Sequence, residues 1–194
     1  MEFDRLFDEV AGRLAVRPPR EAKLDGAAPA AVLVPLFPEE PHGMCTLLTL
    51  RTQTVRDHKG QVSFPGGVRE EQDVDLVATA LREAEEEVAV PASAVRVAGR
   101  LDDCVTLTGY VIRPFVGLLR ERPVVRASPI EIEELLWVPL RKLAAPGACQ
   151  FRRVETGGWV VESYVFDVDG RIVWGATARM LVELIDRLRP IIER

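Results

Sequence analysis

The densest acid in the chain, Arg82-Glu83-Ala84-Glu85-Glu86-Glu87, lies inside a helical pattern that runs from Asp75 to Val90 and is closed by Pro91. At 100° per residue, Glu83, Glu86 and Glu87 fall at about 0°, −60° and +40°, a single carboxylate stripe. Val77, Ala80, Leu81, Ala84 and Val88 fall at about 60° to 160°, directly beside it. The stripe therefore borders the buried face of a helix packed on other structure. Like charges three and four residues apart cost a helix a few tenths of a kcal/mol each, and more when partly desolvated. Arg82 can offset this from the side, and a hard divalent cation, Mg2+ or Mn2+, can do so by taking oxygen ligands. The plainer alternative is a solvated acidic face.

Features upstream favour the cation. From Thr52 to Gly67 the chain is polar and glycine-containing, a long loop of the kind that carries function. It ends in Phe64-Pro65-Gly66-Gly67, where paired glycines allow a close backbone approach to a ligand or metal. Arg51, Arg56 and Lys59 stand before that turn. Basic groups opposite a carboxylate cluster are the arrangement that binds a phosphate-rich substrate across a metal, and arginine offers phosphate a bidentate fork. Ordinary solvated loop charge is their alternative. Glu131 and Glu134 can bring a downstream carboxylate to the same place, or open an exposed helix.

The rest of the chain is read more coarsely. Helical spacing of Phe3, Leu6, Phe7, Val10 and Leu14 predicts an N-terminal helix, part of an extension over residues 1–23 that docks on its own domain or on a second subunit of a homodimer. Strands are predicted at 30–37, 44–51, 95–101, 110–119, 160–168 and 172–174, with Pro35 suggesting an edge position for the first. Residues 131–143 are ambiguous between helix and strand. A closing helix from Ala176 to Leu188 is expected to stop at Pro190. Strands outnumber helices without alternating regularly, which favours one α/β domain over 1–194 with helices packed on a mixed sheet.

Composition excludes several classes. The 25 basic against 30 acidic residues give a net charge of −5, a poor basis for gripping a nucleic-acid backbone. Cys45, Cys104 and Cys149 have neither disulfide-framework nor zinc-ribbon spacing. Cys45, inside an apolar strand, reads as a small buried hydrophobe, and His42 and His58 as loop residues. No GxxxxGK[ST] or GxGxxG run is present. Without a long apolar span or a signal-like start, a cytoplasmic protein with no membrane partner is expected.

Gly67 followed by Arg82-Glu83-Ala84-Glu85-Glu86-Glu87-Val88-Ala89-Val90 resembles the Nudix box, whose core is Arg-Glu-apolar-x-Glu-Glu-x-Gly-apolar downstream of a glycine. Leu47-Leu-Thr-x-Arg51, then Arg56, Gly60 and Phe64-Pro-Gly-Gly67, is similar to the signature of the coenzyme A pyrophosphatase branch of that family, as is Trp174-Gly-x-Thr-Ala178. The resemblance implies an α/β/α sandwich with a mixed β-sheet, and Mg2+- or Mn2+-dependent hydrolysis of coenzyme A, its thioesters or its oxidised forms to 3′,5′-ADP and a phosphopantetheine. By matching positions, it implies Glu83 and Glu87 as principal metal ligands, with the Gly67 carbonyl as a further one. Glu86 is then a ligand to another ion or the base, and Arg82 an orienting group; the adenine of the implied substrate gives Trp159 and Trp174 a stacking role, with packing as strand core the alternative. Another nucleoside diphosphate derivative such as ADP-ribose, or a non-catalytic binding module, are the alternatives. Ala89 departs from the motif's glycine and is expected to change the turn. Val74 stands where the general box has an acid, which leaves Glu70, Glu71 and Asp73 as candidates for that role.

Overall fold

The computed structural model describes residues 2–52, 60–156 and 158–194. In chain order the elements are α1 (Glu2–Ala15), β1 (Ala28–Glu39), β2 (Gly43–Arg51), β3 (Val62–Ser63), β4 (Gly66–Val68), α2 (Leu76–Val88), β5 (Arg96–Arg100), β6 (Cys104–Val105) and β7 (Tyr110–Leu118). They continue with β8 (Ile132–Pro139), α3 (Leu140–Ala144), β9 (Cys149–Thr156), β10 (Trp159–Val168), β11 (Arg171–Trp174) and α4 (Gly175–Ile192).

Alternation along β1 sets the layers. Ala31 and Leu33 pack with Ala80 and Ala84 of α2 and Phe115 of β7. Val32, Val34 and Leu36 belong instead to the larger core with Val10 and Leu14 of α1 and Met180, Leu181, Leu184 and Leu188 of α4. Helices therefore cover both faces of a mixed sheet, in which β1 runs parallel to β7 and the other pairs are antiparallel. This is the expected α/β/α sandwich. The two alanines on α2 let its backbone approach β1 closely. Burying a side chain such as Leu181 or Leu184 contributes about 1.5–3 kcal/mol.

One irregularity positions the site. β1 and β2 pair only near their hairpin, from Leu36 and Thr46 to Glu39 and Gly43. Beyond it they diverge, and β4 pairs with β1 at residues 30–32 while β3 pairs with β2 at residues 49 and 50. The long loop thus returns as two short strands that wedge the hairpin open. Pro35 sits at this split, not at a sheet edge, because its missing N–H falls between the ladder to β4, which ends at Val32, and the ladder to β2, which starts at Leu36. Its carbonyl accepts from the buried Thr46 Oγ1 at 2.8 Å.

Other expectations are corrected or resolved. Pro190 does not stop α4, which continues to Ile192. A proline removes a single N–H, and so near a C-terminus the last turn still closes, as Glu193 N to Arg189 O at 3.1 Å shows. Ala89 does not change the turn after α2. It adopts the left-handed conformation itself, φ 58° and ψ 31°, and its N–H reaches Glu85 O. The ambiguous stretch from Glu131 is strand β8 and then the short α3. The N-terminal helix docks on its own domain: α1 packs on β5 and α4, and Arg96 stacks 3.5 Å from the centre of the Phe7 ring. After it, Arg17 pairs with Asp102 and Glu183. Among the described residues, no helix is long and apolar enough to cross a membrane.

Candidate active site

Helix α2 starts at Asp75, whose side chain accepts from Ala78 N at 2.8 Å. Its C-terminal carbonyls are also held, because the strap after β7 donates Arg126 N to Val88 O and Ser128 N to Glu87 O. A helix fixed at both ends carries Glu83 and Glu87 one turn apart.

The two glycines of β4 come against this helix, and each is required by its surroundings. A Cβ on Gly66 would lie 2.4 Å from Ala31 O, and a Cβ on Gly67 2.4 Å from Glu83 Oε1. The close approach read from the sequence is thus, for Gly67, an approach to the carboxylate itself. Gly66 N donates to Glu87 Oε2 at 3.1 Å, and Arg51 Nη1, at the end of β2, donates to Glu87 Oε1 at 2.8 Å. Glu87 is almost wholly buried. Burial pushes its carboxyl up to about 7, against the pull of Arg51 and of the Gly66 N–H. Glu83 is raised as well, first by burial, with Glu86 and Glu131 adding to the rise and Arg82 opposing it.

Arg82 is the clamp of the stripe. Its Nε and Nη2 donate to Asp73 Oδ1 and Oδ2, each at 3.0 Å, and its Nη1 to Glu83 Oε1 and Glu86 Oε2, each at 3.0 Å. Asp73 is buried beneath it and also accepts from Thr79 Oγ1 and Glu70 N, both at 2.9 Å. Arg82 and these donors hold the Asp73 carboxyl far below the ordinary aspartate range. Among the three nearby acids, Asp73 therefore fills the structural role and is not free as a ligand, while Glu70 and Glu71 are exposed. The motif alone leaves the role open because Val74 stands at the position where the general box has an acid. The signal is Thr79, one turn before Glu83 on the buried side of the helix, whose hydroxyl needs an acceptor there.

The predicted set is thus divided. Gly67, Glu83, Glu87 and Arg51 come together; Glu86 lies on the outer edge, its carboxylate largely exposed and held by Arg82. Glu131 is near enough to raise Glu83, whereas Glu134 is removed to an ion pair with Arg171 at 2.8 Å. Arg56, Lys59 and His58 lie outside the described residues. Trp159 is not core but exposed at the start of β10, and Trp174 is half-buried where α4 begins. Cys45 is fully buried in β2, as expected.

The donors suit a hard cation. Two carboxylates one turn apart are both raised by burial, so their negative charge is under-compensated, and a backbone strand is packed onto one of them. Among the described residues, no three acidic, thiol or imidazole side chains converge closely enough to hold an ion alone. An ion held here would need further oxygens from backbone, water or substrate, a requirement that suits Mg2+.

A fixed acidic helix against a glycine-paired strand, in a sandwich around a split hairpin, defines a Nudix-type site. The NUDIX domain family matches residues 27–155, and the chain belongs to the Nudix hydrolases, a family that generally works with a divalent cation such as Mg2+ or Mn2+. An uncharacterized Nudix hydrolase NudL of Photorhabdus laumondii is 34% identical over 177 residues, covering 91% of this chain and 94% of that protein. NudL of Escherichia coli O1:K1 is 38% identical over 155 residues, 80% of each chain. Among solved structures, the Nudix hydrolase RenU of M. smegmatis superposes with a TM-score of 0.51 at 24% identity, covering 65% of this chain and 81% of its own. The NUDIX domain of Shewanella oneidensis NrtR, solved with ADP ribose, gives 0.51 at 20% identity over 69% and 84%.

Proposed function

We propose that this Nudix hydrolase cleaves the diphosphate linkage of coenzyme A and its derivatives, releasing 3′,5′-ADP and a 4′-phosphopantetheine. The observation that carries the reading is that Arg51, the arginine of the Leu47-Leu-Thr-x-Arg motif, reaches the Nudix carboxylate Glu87 directly. The two motifs that resemble the coenzyme A branch and the general box therefore meet in one site.

In this reading Glu83 and Glu87, with the Gly67 carbonyl, hold the cation. When bound, a divalent cation neutralises diphosphate charge and makes water a better nucleophile. Arg82, anchored on Asp73, keeps Glu83 and Glu86 in place. Glu86 and Glu131 are the two carboxylates available to accept the proton of the attacking water. Arg51, Arg56 and Lys59 receive phosphate groups, the 3′-phosphate of coenzyme A among them.

The test is chromatography of products after incubating the protein with Mg2+ and either coenzyme A or ADP-ribose. Formation of 3′,5′-ADP from coenzyme A supports the reading. Rapid cleavage of ADP-ribose with no 3′,5′-ADP from coenzyme A moves the substrate to another nucleoside diphosphate derivative, and failure to cleave any diphosphate leaves a binding module.

A further inference from the structure

The small sheet runs β11-β10-β9, so that among the described residues β9 is its outer strand, eight residues long and mostly exposed. The β9–β10 hairpin carries an unusual load of exposed apolar side chains: Phe151 is 63% exposed, Trp159 74%, Val160 61% and Tyr164 39%. Register places Phe151 beside Tyr164, Arg153 beside Glu162 and Glu155 beside Val160 on one face, with the Phe151 and Tyr164 rings 5.2 Å apart edge to face. A free edge of this length, flanked by apolar groups, is a template for another strand.

Proteins commonly blunt such an edge with charge. Here the charges are ordered so that they complement a second copy of the same edge. Two copies of β9 pairing antiparallel are related by a twofold axis perpendicular to the sheet, which keeps each face on its own side. Residues facing each other must then share the same parity, so one residue lies on the axis opposite itself. Centring on Arg152, Arg153 or Glu155 sets a charge against its own copy, and centring on Phe151 forms no ion pair. Centring on Val154 sets Val154 against Val154 and forms two identical Arg153–Glu155 pairs. Arg153 then lies between Glu155 of the second copy and its own Glu162, already 3.9 Å away. Cross-strand opposite-charge pairs contribute about 0.2–1 kcal/mol each, and like charges cost a similar amount.

We propose that the chain forms a twofold homodimer through β9, joining two three-stranded sheets into one of six strands with Val154 on the axis. The surface lies on β9 and β10, and the inference stands apart from the reading of the carboxylate site.

The test uses charge reversal and molar mass by light scattering on the full chain. Wild type is expected at twice the 21.5 kDa of the monomer, and Glu155→Arg or Arg153→Glu alone to weaken self-association about tenfold or more. Each single variant now sets like charges together at both pairs. Mixing the two variants sets arginines only against glutamates, so a heterodimer is expected, and its formation also shows that both variants are folded. Wild type that stays monomeric at high micromolar concentration, single variants that dimerise as wild type does, or a mixture that stays monomeric overturns the proposal.

Discussion

Arg51 Nη1 lies 2.8 Å from Glu87 Oε1, and this contact places the one basic group described from the loop-side motif directly on a carboxylate of the helix. The pair is largely desolvated, since Glu87 is sealed by Gly66 and the sheet. In the metal-free protein Arg51 is thus a counter-ion standing where a divalent cation would otherwise supply the charge. Above about pH 7, where the Glu87 carboxyl is ionised, replacing Arg51 by Gln is expected to cost the metal-free protein about 1–3 kcal/mol, because it leaves a buried carboxylate short of its partner. Saturating Mg2+ should narrow the deficit, since the ion takes over the neutralisation. Urea unfolding with EDTA and with Mg2+ measures both; an equal deficit in the two conditions would show that Arg51 and the ion do not share Glu87.

The same burial gives a pH dependence of definite sign. With its carboxyl at about 7 against an ordinary 4.5, folded Glu87 keeps a proton that the unfolded chain has released. Its contribution is therefore fully present below about 4.5 and is lost as pH rises through about 7, to the extent of about 3 kcal/mol. Glu83 shifts in the same direction. Asp73 and Asp102 run the opposite way, but their contributions are lost only as pH falls below the ordinary aspartate value of 3.8, so they are constant across this window. Unfolding free energy in EDTA should fall between about pH 5 and pH 8, and Glu87→Gln should flatten the fall. Stabilisation by Mg2+ should grow over the same range, as deprotonated carboxylates become available.

Asp73 acts on the site only through Arg82. Asp73→Asn keeps the shape and an acceptor for Thr79 but removes the charge that holds the guanidinium. A loss of about 1–3 kcal/mol is expected by thermal unfolding. Turnover should fall with it, because Glu83 and Glu86 lose their common clamp. If turnover per folded molecule is unchanged while stability drops, Arg82 is positioned without Asp73.

The contrast between Asp73 and the glutamates shows what a sequence of this kind discloses. Glu83 and Glu87 were legible because helical period alone sets them on one face beside Ala80 and Ala84. Asp73 lies before the cap of α2, where no period operates, and only the fold brings it under Arg82. Pro35 misled for a related reason: edge or interior depends on which neighbour reaches for its N–H, and the gap between two ladders is a property of pairing. β9 escaped notice because Gln150, Arg152, Arg153 and Glu155 break the apolar alternation of a half-buried strand; its pairing with β10 is what makes it one. Pro190 misled because its cost depends on distance from the helix end.

In the proposed reaction two carboxylates are candidates to accept the proton of the attacking water, and their surroundings differ. Glu86 is held by Arg82 at 3.0 Å, while Glu131 projects its charge onto Glu83 from the start of β8. Comparing Glu86→Gln with Glu131→Gln separates them, since loss of a general base costs about 100- to 10,000-fold in turnover. Glu83→Gln should also lower turnover severely while leaving the chain folded, because it relieves like-charge repulsion as it weakens the metal site. Circular dichroism alongside the assay checks the second point, and a fully active Glu83→Gln protein would remove Glu83 from the site.

Ala89 offers a change that should touch stability alone. At φ 58° its Cβ crowds the following carbonyl, a strain of about 1–2 kcal/mol that glycine avoids. Against this, glycine adds about 0.4–1 kcal/mol of conformational entropy to the unfolded chain. The balance favours Ala89→Gly by about 0.5–1 kcal/mol. The bonds that the turn makes, Ala89 N to Glu85 O at 3.0 Å and Val90 N to Ala84 O at 3.2 Å, are backbone bonds that glycine preserves. Glu87 precedes the turn and is fixed independently by Arg51, Gly66 and the Ser128 strap. Unfolding midpoint should therefore rise while turnover stays at the wild-type level; a fall in stability would mean that the left-handed turn costs alanine less here than the entropy glycine brings.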